Sequence, residues 1–167
     1  MPTDTLVRFA RPEDAETIIE FVRGLAVFER EPAERAHLTP QAILRDGFGE
    51  RPVFEAIIAE QAGRPVGFAL FFPNYSTWEG CPGLYCEDLF VAEEARGSGA
   101  GSALLTALAR IAHDRGWPRL ELSVLDWNPA RAFYEAHGMA HQQEWLPYRM
   151  EADAIARLAS DAPPVEG

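Results

Sequence analysis

The stretch 94–102, EARGSGAGS, limits the possible folds more than any other part of this chain. It follows the apolar run LYCEDLFV and precedes a segment in which Leu104, Leu105, Leu108, Ile111 and Ala112 form one stripe at helical spacing over 101–115. A strand, a turn of small residues and a helix in that order stack consecutive backbone N–H groups on a helix start, where anions bind readily. Two familiar phosphate motifs do not fit. A P-loop requires a lysine after its last glycine, and this chain has none, all fifteen basic residues being arginine. A dinucleotide fingerprint counted from Gly97 would need its third glycine at Ser102, and it should open the first unit of a parallel sheet, whereas this turn follows a meander. Two readings remain for 97–102: a cradle for a pyrophosphate, with Arg96 adding charge, or a tight turn without a ligand.

The rest of the chain places that turn in a mixed sheet. LVRFA alternates as a strand, and Pro12, Glu13 and Asp14 suit the first turn of a helix whose Ile18, Val22 and Leu25 carry it to about Phe28. A short helix over 39–46 is capped by Thr39, with Pro40 at its first position and Gly47 to end it. PVFEAIIAE and RPVGFALFF flank Gln61, Ala62 and Gly63 as an antiparallel hairpin. NYSTWEGCPG reads as a loop, GLYCEDLFV as a strand, RLELSVL as a further strand and PARAFYEAHG as a short helix. LPYRMEADAIARLA reads as a last strand and a C-terminal helix, and DAPPVEG as a frayed tail. The expected class is α/β (α+β): one domain over 1–160, a mixed and mostly antiparallel sheet flanked by helices, with 161–167 as a flexible tail.

Composition excludes several functions. A chain of 167 residues, 47% apolar and 25% charged, builds one globular core. No apolar run is long enough to span a bilayer, and MPTDTLVRF lacks the basic and apolar regions of a leader, so the expected compartment is the cytoplasm, without membrane attachment. A net charge of −11 opposes nucleic-acid binding and suits a cationic partner, although acidity also serves solubility alone. Cys81 and Cys86, five apart on one strand, face opposite sides and are expected as reduced structural thiols. His37, His113, His137 and His141 show no metal-ligand spacing with them, so no metal is expected.

Arg96-Gly97-Ser98-Gly99-Ala100-Gly101 matches the [QR]-x-x-G-x-[GA] signature of the GNAT acetyltransferases, which this chain resembles. RPEDAETIIEFVRGLAVFE, LTPQAILRDGFGERPVFEAIIAE, VGFALFF, YSTW, LYCEDLFV and DWNPARAFYEAHG resemble the spermidine/spermine N-acetyltransferase subfamily, in order along nearly the whole chain. The resemblance implies acetyl-CoA as acyl donor, a small-molecule amine as acceptor and a homodimer. It implies that Leu89, Phe90 and Val91 lie along the pantetheine, that Gly97, Ser98, Gly99, Ala100, Gly101 and Ser102 hold the pyrophosphate beside Arg96, and that Asn128, Arg131 and Tyr134 contact the cofactor. The chain departs from the pattern at Ser76, where the subfamily often carries an acid, at Phe28, and between Asn128 and Tyr134, where it is one residue shorter.

Moving an acyl group from a thioester to an amine requires a neutral nitrogen, a donor for the oxygen that gains charge and a proton for the departing thiolate. An amine of pKa ~10.4 costs on the order of 4–5 kcal/mol to deprotonate at pH 7. Glu87 is the candidate to take that proton through water, the Val91 N–H to serve the oxygen and Tyr134 to supply the thiolate. Glu29 and Asp88, with Phe28 and Trp78, would hold a distal cationic group, and Glu121 and Glu144 could line the same cleft. For each of these acids a solvated surface position is the alternative, and for the aromatics core filling. A domain that senses acyl-CoA or amines without transfer, and an acetyltransferase acting on protein lysines or N-termini, are the rival functions.

Overall fold

The computed structural model describes residues 4–160 and 162–167. They belong to two compact units, Met1–Asn128 and Pro129–Gly167, each taken here by itself. In the first, β1 (Thr5–Phe9) leads through a 3-10 turn at Pro12–Asp14 into α1 (Ala15–Phe28), then α2 (Pro40–Phe48), β2 (Glu55–Gln61), β3 (Arg64–Ser76), β4 (Cys81–Val91), α3 (Ala100–Asp114) and β5 (Leu120–Leu122). The second contains α4 (Ala130–Ala136) and α5 (Ala152–Ser160). The strands order as β1-β2-β3-β4-β5, antiparallel through β4 and parallel between β4 and β5.

Alternation along the strands feeds two cores, one on each face of the sheet. Ile18, Ile19 and Phe21 of α1 and Ile43 of α2 cover Ile58, Phe68, Leu70 and Phe90 on one face, with the Phe21 and Phe68 rings stacked at 5.8 Å. Leu104, Leu108 and Ala112 of α3 cover Ile57, Ala59, Ala69, Phe71, Leu84 and Cys86 on the other. Both cysteines are free thiols. Arg8 ties β1 to the start of α1 and to β2: its guanidinium donates to both oxygens of buried Asp14 at 2.7 and 2.9 Å and to Glu60 at 2.9 Å.

The hairpin at Gln61–Gly63 turns as the sequence predicts, with positive φ at both Ala62 and Gly63, the twist that joins tightly paired strands. Thr39 caps α2, its hydroxyl accepting from the Ala42 N–H at 3.1 Å. Elsewhere the structure corrects the sequence reading. Helix α2 runs through Gly47 to Phe48, because Gly47 serves packing: a Cβ there would meet the Phe54 ring at 2.6 Å. Most of NYSTWEGCPG is paired strand, with Asn74–Ser76 and Cys81–Gly83 extending one long hairpin around a tip at 77–80. RLELSVL contributes only the three residues of β5. LPYRM forms no strand: its Leu146, Tyr148 and Met150 alternate like one, but all three are exposed and none has a sheet partner among the described residues. Pro129, already helical at φ −62°, stands at the N-cap of α4, which is confined to the seven residues Ala130–Ala136. Of the tail expected over 161–167, residue 161 lies outside the described residues, and 162–167 have no regular structure.

Candidate active site

The first unit places most of the candidate residues around the C-terminal half of β4. Its register with β3 runs Phe71↔Cys86 and then Leu70↔Asp88, so Glu87 has no partner and forms a bulge. The bulge resets the alternation. Before it, Leu84 and Cys86 face α3; after it, Leu89 and Val91 do, and Asp88 and Phe90 turn to the α1 face beside Leu70 and Phe68. The Cys86 thiol donates to the Asp88 carbonyl at 3.3 Å across the bulge.

The same step sets where the backbone points. The Ala92 N–H donates to the Val66 carbonyl at 2.8 Å, so by antiparallel alternation the opposed pairs Val91/Gly67 and Leu89/Ala69 direct their N–H groups away from β3. On that side β5 pairs with β4 only at Leu84–Cys86 and stops at Leu122. The N–H groups of Leu89 and Val91 therefore open into the gap where the two strands part, and no strand among the described residues receives them.

This gap leads to the turn of small residues. Gly97 and Gly99 have φ of 77° and 93°, a region that glycine enters without penalty, and a Cβ at either would meet nothing within 4 Å. The turn is thus shaped by glycine and open above its backbone. Gly99 is the N-cap of α3 and has no side chain to cap it; the Ala100 N–H donates to the Ser98 hydroxyl at 3.4 Å, and the start of the helix presents a positive dipole end. The Ser98 hydroxyl is tethered by Gln61, whose Nε2 donates to it at 2.8 Å and to Thr5 Oγ1 at 2.9 Å, an anchor on β2 that sequence reading missed. Arg96 folds back toward β4: Nε donates to the Val91 carbonyl at 3.3 Å, and the guanidinium lies over the Phe28 ring at 4.8 Å and the Phe90 ring at 5.8 Å. Beside it a cleft of about 470 Å³ is lined by Phe21, Gly24, Phe28, Phe90, Ala92 and Arg96. An open glycine turn at a helix N-terminus, continuous with two outward N–H groups, fits an extended ligand that carries a diphosphate at one end.

The acids divide unevenly. Burial first, then repulsion by Glu87 and Glu29, pushes the Asp88 carboxyl up to about 6. Glu29, the C-cap of α1, is also raised, chiefly by burial and next by Glu31. Cys86 is pushed up to about 12 by burial, with Asp88 and Glu87 adding to it, so it stays a neutral thiol at physiological pH. Glu87 is exposed on its bulge. Glu121 is engaged elsewhere, its carboxylate accepting from Asn74 Nδ2 at 2.8 Å. Trp78 stands on the β3–β4 tip, 90% exposed, and the strand between it and Asp88 spans about 20 Å at ~3.3 Å per residue. The structure therefore sets Trp78 apart from Phe28, Glu29 and Asp88. Asn128, at the end of the first unit, is buried. In the second unit Arg131 and Tyr134 sit on α4, with Tyr134 half-buried edge-on to Phe133 at 5.3 Å, and Glu144 is exposed in a turn.

A gap beside β4 and an open glycine turn at α3 are the geometry of a transferase for an extended anionic donor, and the comparisons give the class. Residues 13–139 match the family described as "Acetyltransferase (GNAT) family", and the chain belongs to that family of acetyltransferases. It is 34% identical over 166 residues to a thialysine N-epsilon-acetyltransferase of Bos taurus, covering 92% of this chain and 96% of that one. It is 30% identical over 164 residues to a human spermidine/spermine N(1)-acetyltransferase-like protein 1, covering 92% of this chain and 23% of that one. Among solved structures, an integron cassette protein from the mobile metagenome of V. cholerae shares the fold, with a TM-score of 0.78 and 23% identity over 96% of this chain and 99% of that one. No helix among the described residues is long and apolar enough to cross a membrane.

Proposed function

We propose that this enzyme transfers the acetyl group of acetyl-CoA to the primary amine of a small cationic acceptor, a polyamine, a diamine or a thialysine-like amine, by direct attack in a ternary complex. The observation that carries this reading is the pair of N–H groups from Leu89 and Val91 opening into the strand gap, with the half-buried Asp88 carboxyl on the residue between Glu87 and Leu89. Acetyl-CoA supplies an activated thioester carbonyl. The turn at 97–102 holds its diphosphate by backbone N–H groups and the positive end of α3, with the Arg96 charge nearby. The Leu89 N–H orients the chain of the donor, and the Val91 N–H donates to the oxygen that becomes negative, an interaction whose loss typically costs ~3–4 kcal/mol in an enzyme of this type.

Asp88 takes the larger part in managing the acceptor's proton. A carboxyl near 6 is mostly ionised at pH 7 yet basic enough to accept a proton from the attacking nitrogen or an intervening water. Glu87 beside it sustains that basicity by repulsion, and Glu29 holds a second cationic group of the acceptor. The role of acid toward the departing thiolate is proposed for Tyr134, and cofactor contacts for Asn128 and Arg131, on the sequence resemblance alone. A cytoplasmic homodimer is proposed on the same ground.

The test is a thiol-release assay with acetyl-CoA and a panel of diamines, polyamines, thialysine and lysine-bearing peptides. Small amines should release thiol stoichiometrically with N-acetylated product, and peptides should not. Release no faster than buffer hydrolysis with every amine would favour a sensor, and preference for peptides would favour a protein acetyltransferase.

A further inference from the structure

The gap beside β4 stays open where the sequence would close it. Ser123, Val124 and Leu125 continue β5 in RLELSVL, a run that reads as one strand, and the neighbouring β4 still has unpaired N–H groups at Leu89 and Val91. A free row of N–H groups beside a strand-forming segment is a template for pairing. Yet pairing ends at Cys86↔Leu122, and 123–125 leave the sheet. Two side-chain ties account for that departure, one at each end of the departing segment.

The first tie is at Ser123. Leu120 and Leu122 pack under α3, so Ser123 faces the α1 side by alternation, as Tyr85 does between Leu84 and Cys86. The Tyr85 and Ser123 hydroxyls hydrogen-bond at 2.9 Å, and the phenol ring is steadied on Phe72 at 5.3 Å, itself packed with the α1 core. Tyr85 lies opposite Glu121, so this bond draws Ser123 back toward a rung already passed.

The second tie is at Trp127. The Arg30 guanidinium carbon lies 3.9 Å from the centroid of the indole. Arg30 follows the C-cap of α1 and takes the left-handed conformation at φ 65°, which glycine enters without penalty. An arginine kept in a conformation that disfavours it points to work done by its side chain. The stack fastens the far end of 123–127 to the end of α1, on the side of the sheet toward which Tyr85 draws Ser123.

We infer that the Tyr85–Ser123 bond and the Arg30–Trp127 stack hold 123–127 off the free edge of β4, which makes these four residues positioning residues that keep the donor's gap open. The inference rests on the acetyl-CoA reading above. Without the ties, 123–125 zip onto β4, the Leu89 and Val91 N–H groups are taken up in the sheet, and the donor binds only the fraction of molecules that reopen.

Two measurements count that same fraction: amide exchange at Leu89 and Val91, followed by NMR with no donor present, and CoA affinity by calorimetry. In the native protein both amides should exchange at nearly unprotected rates. Tyr85→Phe and Ser123→Ala break one bond from opposite ends, so each should slow both amides and weaken CoA by the same factor, about twofold or more, and together do no more than either alone. Arg30→Gly, which keeps the left-handed turn, and Trp127→Leu should act likewise on the other tie. Tyr85→Phe combined with Arg30→Gly should reach about tenfold in both measurements, and in turnover the loss should fall on KM for acetyl-CoA more than on kcat. Strong protection of these amides in the native protein, or native exchange rates in the combined variant, overturns the inference and leaves acetyl transfer intact. Weaker CoA binding without slower exchange overturns it too, since the ties would then serve contact or fold and not opening. A native protein that does not bind CoA overturns the acetyl-CoA reading, and the exchange rates still decide whether the ties hold the gap.

Discussion

Replacing Asp88 with asparagine tests the buried acid directly, because burial and catalysis predict opposite changes. A carboxyl raised from an ordinary 3.8 to about 6 holds its proton more tightly in the folded chain than in the unfolded one. Below pH ~4 both forms are protonated and the group costs nothing. Between pH 4 and 6 the unfolded chain loses that proton first, so stability falls as pH rises, and above 6 the fold carries the full cost of an ionised, half-buried acid, up to about 3 kcal/mol. An uncharged amide escapes that cost. Asp88→Asn should therefore melt higher than the native protein at pH 7.5, by up to roughly 6–12 °C for a chain of this size, and the difference should vanish as the buffer is lowered to pH 4. The same variant should lose about 10²–10⁴ in kcat with no recovery at alkaline pH. Melting curves followed by circular dichroism between pH 4 and 8, beside thiol release, supply both measurements. A variant less stable than the native protein at pH 7.5, or a difference independent of pH, would refute the argument that burial raises this carboxyl.

Asp14 should behave with the opposite sign, because its pairing with Arg8 lowers its carboxyl: its contribution is present above the ordinary carboxylate range and is lost as pH falls through the depressed folded value. Asp14→Asn should lower the melting temperature at pH 7, and the deficit should shrink in acid. Gly99→Ala places a side chain at φ 93° and should destabilise the turn by about 1–2 kcal/mol while weakening CoA binding, measured by calorimetry, at least tenfold. Gly67→Ala would bring a Cβ within 2.6 Å of the Phe90 carbonyl, which cannot swing aside as a flexible side-chain end could; a loss of about 1–3 kcal/mol in urea unfolding is expected, and full native stability would show that the two strands can part there.

Local patterns made much of this fold readable. The stripe from Leu104 to Ala112, the Thr39 cap and the hairpin at Ala62–Gly63 each depend on neighbours in sequence, and each formed where chemistry required. What escaped depends on partners far along the chain. Asn74–Ser76 carry turn formers but are drawn into β3 by pairing with Cys81–Gly83, while LPYRM has the alternation of a strand without a neighbouring edge to use it. The site divided in the same way. Glycine spacing announced the turn at 97–102, and the run LYCEDLFV announced its strand. Which of Glu87 and Asp88 would be the buried acid could not be read from adjacent letters, since it follows from register against Leu70 and Phe71. The Gln61 tether of Ser98 and the Arg30–Trp127 stack bridge 37 and 97 positions, and no local signal marks either.

The unpaired residue in β4 also acts as a phase switch for everything downstream. Were Glu87 drawn into the ladder opposite Leu70, the ribbon would be smooth and its remaining residues inverted: Asp88 would be driven under α3, Leu89 would present its methyls to α1, and the amide hydrogens now facing the gap would close onto β3. Such a protein could keep its strands and helices and yet have no door for a substrate, so the competence of this scaffold depends on a single residue being in excess.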